Sequence, residues 1–168
     1  MTAVVVNDAS CLIDLRKGQL LHVLTRLPHR FVVPFPIRES ELLDFTAQEW
    51  RVLDDGGMET FDLPGELVAE AMIVRQAHPR LSANDAFALT TAEYYDQGIL
   101  LTGDGLLRRV AEERDTRVHG VLWIIEELRV GQHCERELLR NALQVWRDDR
   151  SVFLPNELIA QAVRKLRG

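Results

Sequence analysis

Short apolar runs alternate with stretches of helical spacing along most of the chain. Ala3 to Val6 is a continuous, largely β-branched run ending in Asn7-Asp8, which predicts a strand buried on both faces of a parallel sheet rather than an alternating edge strand. Ser10 is placed to cap a following helix. Leu12, Ile13, Leu15, Leu20, Leu21, Val23, Leu24 and Leu27 then recur at roughly helical spacing, interrupted by Gly18 and stopped by Pro28, so 10–27 reads as a helix or broken helix. Phe31-Val32-Val33 is a second short apolar run. Pro34 and Pro36 end it and suit the first turn of a helix carrying Ile37, Leu42, Leu43 and Phe45. Asp54-Asp55-Gly56-Gly57 reads as a turn, and Met58 to Leu63 as a short third strand. Leu67 to Ala77 is helical up to His78-Pro79, and Ser82 opens a long helix through Phe87, Ala88, Ala92 and Tyr95 that leaves at Gly98. Ile99-Leu100-Leu101-Thr102 is the clearest strand of the second half. Asp104-Gly105 turns into a helix reaching Glu113, Arg117-Val118 adds a last short strand, and three helices are predicted around 121–130, 135–148 and 155–167.

Strands alternating with helices imply an α/β fold with a mostly parallel sheet, in which ligands bind at the carboxyl ends of strands near a topological switch point. At 168 residues one domain is expected over 1–168, with a core over about 1–130 and a helical C-terminal extension over about 131–168. A hydrophobic fraction of 46% and a charged fraction of 27% exclude wholesale disorder and low-complexity scaffolding. The apolar runs fall far short of the roughly 20 residues a membrane span needs. Met1 to Asp8 lacks a basic segment and meets an acid early, so no signal peptide is read and a cytoplasmic location is expected. Cys11 and Cys134 show neither disulfide nor zinc spacing and are expected to act as small hydrophobes.

Charge changes the picture once it is divided. Residues 1–128 carry 12 Lys+Arg against 21 Asp+Glu, and residues 129–168 carry 8 against 5, giving −9 and +3. A nucleic-acid partner held only by counterion release wants a basic face, and the first three-quarters is the reverse. A carboxylate-bound divalent cation supplies a different device, because it turns a negative cluster into a phosphate-attracting site. Asp8 and Asp104 follow predicted strands, and Glu39, Glu41 and Asp85 stand at helix starts. Each has a structural alternative: a turn or cap acid for Asp8 and Asp104, a capping-box partner of Ser82 for Asp85, and a solvated first turn for the two glutamates. Acids at strand ends and helix starts can converge on one crevice, and hard oxygen donors in that number suit Mg²⁺ or Mn²⁺ rather than zinc. Phosphodiester hydrolysis is the chemistry that most needs such a cluster. No G-x-S-x-G elbow, paired histidine spacing, G-x-G-x-x-G or Walker lysine motif competes, and a phosphoryl-aspartate hydrolase would want an acid where Asp8-Ala9-Ser10 has serine.

The ordered set of motifs resembles the PIN-domain family, which includes the VapC-type ribonuclease toxins. The resemblance is carried by Val4-Val5-Val6-Asn7-Asp8-Ala9-Ser10-Cys11-Leu12-Ile13, by Val32-Val33-Pro34 before the Glu39/Glu41 helix, by Leu81-Ser82-Ala83-Asn84-Asp85-Ala86, and by Leu100-Leu101-Thr102-Gly103-Asp104. It implies a three-layer α/β/α sandwich with a central mostly parallel sheet, Mg²⁺- or Mn²⁺-dependent cleavage of single-stranded or structured RNA to 5′-phosphate and 3′-hydroxyl ends, and a metal-ligand role for Asp8, one glutamate, Asp85 and Asp104. Ser10 and Thr102 match family positions that orient carboxylates. Either Glu39 or Glu41 aligns with the second acid, and Glu41 is favoured because Glu-Leu-Leu is similar to the family continuation. The tail from Gly120 is similar to a subgroup with a C-terminal helical extension. The resemblance further implies a cognate antitoxin and a homodimer. The basic residues of the tail, Arg136, Arg140, Arg147, Arg150, Arg164, Lys165 and Arg167, read as a solvated face rather than an RNA strip. A non-catalytic PIN-like module that binds RNA or protein is the competing reading.

Overall fold

The computed structural model describes residues 2–168. In chain order the elements are β1 (Val4–Asn7), α1 (Ala9–Lys17), α2 (Leu21–Leu24), β2 (Arg30–Pro34), α3 (Phe35–Ser40), α4 (Ala47–Asp55), β3 (Glu59–Phe61), α5 (Gly65–Ala77), α6 (Ala83–Tyr94), β4 (Gly98–Leu101), α7 (Gly105–Glu113), β5 (Arg117–His119), α8 (Val121–Val130), α9 (Arg136–Asp148) and α10 (Asn156–Arg167). The strands form one parallel sheet in the order β3-β2-β1-β4-β5. β1 is central, and its four residues are all buried, as a continuous apolar run requires. From β1 the chain steps outward through β2 to β3, then crosses to β4 and steps outward the other way to β5. Right-handed crossovers in opposite directions put their helices on opposite faces of the sheet. Accordingly α1, α2 and α4 pack together on one side, and α5, α6 and α7 form the other layer, with α6 against β1, β2 and β4. The result is the three-layer α/β/α sandwich, and the point where the order reverses lies between β1 and β4.

Three local departures from the sequence reading have physical causes. The broken helix over 10–27 divides into α1 and α2 because Gln19 takes a left-handed φ of 58° just after Gly18. The helix opened by Pro36 stops at Ser40 instead of running to Phe45: the amides of Glu41 and Leu42 both donate to the Ile37 carbonyl, closing the end, and Leu42 and Phe45 are buried from the loop beyond it. Helix α4 lies where none was predicted. Thr46 and Glu49 form a reciprocal capping box that starts it, and Leu53 anchors it in the core.

The C-terminal helices join this core through buried apolar residues, Leu139, Leu143, Trp146, Ile159 and Leu166 among them, and through one side-chain hydrogen bond from the tryptophan. Trp146 on α9 is 1% exposed, lies over Gly18, and donates its indole Nε1–H to the Asp14 carbonyl of α1 at 2.7 Å. A Cβ on Gly18 would stand 3.2 Å from the indole ring, so the missing side chain is what lets the two helices approach. Most of the basic residues of the tail that make contacts serve the surface. Arg136 donates to the Leu166 carbonyl, Arg140 pairs with Glu137, and Arg164 and Lys165 approach Glu157 and Glu126. Among the described residues no helix is long and apolar enough to cross a membrane.

Trp146→Phe keeps an aromatic ring but removes the indole donor, leaving the Asp14 carbonyl with the Gly18 amide alone and a void beside Gly18. A loss of about 2 kcal/mol is expected in urea denaturation. An unchanged midpoint would show that the extension is not docked through this residue.

Candidate functional site

Asp8 is the first residue after β1, at the N-cap position of α1, yet its side chain makes no capping bond. The carboxylate turns across the sheet instead: Oδ2 accepts from Thr102 Oγ1 at 2.8 Å and from Ser10 Oγ at 3.0 Å. Thr102 is brought there by the β1–β4 register, which pairs Asn7 with Leu101 and leaves the two following residues side by side at the sheet's carboxyl edge. Each hydroxyl also accepts a backbone N–H, Thr102 from Asp104 at 3.0 Å and Ser10 from Gly103 at 2.9 Å. With each hydroxyl proton spent on Asp8, the 3.4 Å approach of Ser10 Oγ to Thr102 Oγ1 is a contact without a proton of its own. The sequence-predicted orienting roles of Ser10 and Thr102 thus take a definite form. Both residues fix one oxygen of Asp8, and both fix the loop that carries Asp104.

The other acids are set by helix starts. Asp85 and Ser82 form the capping box of α6, with Asp85 N–H donating to Ser82 Oγ at 3.0 Å and Ser82 N–H to Asp85 Oδ2 at 3.3 Å. Asp104 caps α7 by accepting from the Leu107 amide through Oδ1 at 2.8 Å. The structural alternatives for these two acids are therefore real, and each occupies one oxygen. Glu41 ends α3 and is exposed, as is Glu39. Burial pushes the Asp8 carboxyl up to about 6; the Thr102 and Ser10 hydrogen bonds pull it down, while the charges of Asp85 and Glu41 push it further up. Asp85 is likewise raised, by burial first and then by the charge of Asp104, against the Ser82 bonds that lower it. Asp8, Asp85, Asp104 and Glu41 therefore share one electrostatic neighbourhood. Of the two glutamates left open by the sequence, the charge of Glu41 is felt at Asp8.

The donor set has the chemistry a divalent cation wants: hard carboxylate oxygens, with Asp8 only 3% exposed and raised by the charges of Asp85 and Glu41. Among the described residues no three acidic, histidine or cysteine side chains are gathered into a ready cage. Mg²⁺ does not require one, since it keeps several waters and is commonly held by one or two carboxylates together with substrate phosphate.

Beside this centre lies a cavity of about 510 Å³ that shares Ser10, Thr102 and Gly103 with it and is otherwise lined by Asp14, Arg108 and the 151–158 segment, among others. Asp14, raised to about 6 chiefly by burial, with Lys17 lowering it and Asp149 raising it, is part of the lining. Arg108 crosses above Gly120, where a Cβ would meet its Nη2 at 3.4 Å. The sequence reading singled out none of Asp14, Arg108 as a site residue, nor Phe153. They come from three separated segments, and the one local signal was Gly120 after the last strand.

In metal-free protein Asp8 holds its proton more tightly folded than unfolded, since about 6 lies above the ordinary 3.8. The stability it contributes is complete below the unfolded value and is lost as pH rises through the folded one. Asp8→Asn is therefore expected to stabilise the chelator-treated protein at pH 7.5 by up to about 3 kcal/mol, an advantage that shrinks away near pH 4. Thermal melts at the two pH values measure it, and equal melting at pH 7.5 would show that the Asp8 charge is not strained.

A family model described as a PIN domain matches residues 4–167, nearly the whole chain and the extension with it. No curated protein matches. PIN domains are generally nucleases, and the five-stranded parallel sheet flanked by helices has the architecture expected of one. The chain belongs to the PIN-domain family.

Proposed function

We propose that the chain is a divalent-metal-dependent endoribonuclease of the VapC type, the toxin of a toxin-antitoxin pair, which hydrolyses phosphodiester bonds of single-stranded or structured RNA. The observation that supports it best is the Asp8 carboxylate, buried at a strand end, clamped by two hydroxyls and surrounded by other acids. Asp8, Asp85, Asp104 and Glu41 would hold Mg²⁺ or Mn²⁺. When bound, the ion supplies activation of water and neutralisation of charge on the scissile phosphate.

The chain's own groups do the rest. Thr102 and Ser10 saturate Asp8 Oδ2, so the carboxylate is oriented before any ligand arrives, and Oδ1 remains as donor. Asp85 and Asp104 are held by caps through Oδ2 and Oδ1, which leaves one oxygen of each to the site. A homodimer and a cognate antitoxin are the partners this reading brings with it, and they rest on the family resemblance. One observation favours the competing reading of a non-catalytic RNA- or protein-binding module: no three donors are gathered closely among the described residues.

Cleavage of a labelled structured RNA separates the two readings. Cutting is expected with Mn²⁺, abolished by EDTA, and reduced on the order of a hundredfold or more in Asp8→Asn and Asp104→Asn. Thr102→Val should cost roughly 10- to 100-fold in rate by loosening Asp8. No cutting by the wild type, with no Mn²⁺-induced rise in melting temperature, would leave the binding module standing.

A further inference from the structure

We propose that the cavity beside Asp8 seats an unstacked RNA base next to the cut phosphate, lying against the Phe153 ring with the base's N–H edge on the Asp14 carboxylate, and that guanine is the preferred base. The placement next to a cut phosphate rests on the ribonuclease reading; the binding of the base does not.

Phe153 is 84% exposed at the cavity rim, and that exposure is fixed by its neighbours. Val152 before it is buried, and Leu154 after it packs against the core. The preceding turn is tied to α1, because Lys17 Nζ donates to Ser151 Oγ at 2.6 Å and pairs with Asp149 at 3.4 Å. An aromatic ring held out into solvent by a rigid turn is the platform on which any base can stack.

Asp14 supplies the discrimination. Its carbonyl is taken by Trp146, while its carboxylate makes no hydrogen bond or ion pair among the described residues, though it is partly buried in the cavity wall. Gly103 also lines the cavity, and its Cβ position lies 3.8 Å from Asp14 Oδ2 and 3.6 Å from Ser10 Oγ, which places the Asp14 carboxylate beside the Asp8 clamp. What an acceptor-only group lacks is a donor, and the edge of an unpaired base provides donors. Guanine offers two adjacent ones, N1–H and N2–H, to the two carboxylate oxygens. A neutral base suits a carboxylate wall where a phosphate does not. The phosphate has Arg108, which also lines the cavity and whose nearest carboxylate, Glu112, stands at a loose 3.8 Å.

The test uses the full chain and fluorescent single-stranded RNA decamers, oligo-uridine with or without one central guanosine. Binding is measured by anisotropy in Ca²⁺, with the RNA checked intact on gels, and cleavage is mapped separately in Mn²⁺. The wild type is expected to bind the guanosine decamer more tightly. Phe153→Ala should weaken it on the order of tenfold, Phe153→Trp should restore it, and Asp14→Asn should bring the two decamers within about twofold of each other. Cuts by the wild type should fall beside guanosine and spread in Asp14→Asn. If this binding pattern holds but Mn²⁺ yields no cutting, the base site stands and the ribonuclease reading falls. If the wild type cuts while Phe153→Ala and Asp14→Asn bind and cut like it, the ribonuclease reading stands and the base site falls. Unchanged RNA affinity in Phe153→Ala also overturns the site, whether or not a protein partner is lost with the ring.

Discussion

One carboxylate oxygen at the end of the central strand takes two hydroxyl hydrogen bonds, and the geometry around it follows from that. A buried carboxylate needs donors, and Asp8 finds them on Thr102 beyond β4 and on Ser10 in the first turn of α1. Because a hydroxyl has one proton and lone pairs to spare, each donor can also receive a backbone N–H, and the two amides that oblige are consecutive, Gly103 and Asp104. The clamp therefore sets the loop between β4 and α7 as firmly as it sets Asp8. The parallel register of β1 and β4 is what makes the clamp possible, since a shift by one residue would turn Thr102 to the other face.

The same region is electrostatically tense. Asp8 and Asp85 are both driven upward by burial and by neighbouring carboxylates. Native structure tolerates this because the acids double as structural groups: Asp85 and Asp104 begin helices, where a negative side chain is favoured by the exposed amides. The fold thus stores like charges at one edge by giving two of them local work.

Much of this could be read from the chain. The buried β1 and β4 runs, the Ser82 start of α6 and the Asp104 start of α7 are local patterns, so their positions follow from neighbours in sequence. Helix α4 escapes the pattern although Thr46-Ala47-Gln48-Glu49 is a capping box, because Leu53 alone of its residues is fully buried and little apolar rhythm marks it. The end of α3 was misplaced because Leu42 and Phe45 keep a helical rhythm while being buried from a loop, a tertiary effect that periodicity does not separate from a helix. Asp14, Arg108 and Phe153 come from α1, α7 and the segment after α9 and meet only in the folded chain, so no local pattern announces them.

The caps on Asp85 and Asp104 bear on how this protein can change over evolutionary time. At the N-cap that Asp104 holds, asparagine serves about as well as aspartate, and at Asp85, the capping-box partner of Ser82, an amide oxygen still accepts the Ser82 N–H, so a single base change in the gene at either codon can remove a charge while the helix keeps its start. At Asp8 the same replacement relieves a strained ion. Drift toward a chain that is folded and chemically silent thus meets little thermodynamic resistance, since the macrodipole benefit lost at the two helix starts is set against the strain relieved at Asp8. The acids persist only as long as a selected task uses them, and a silent copy would still present the same surface to whatever binds the active one.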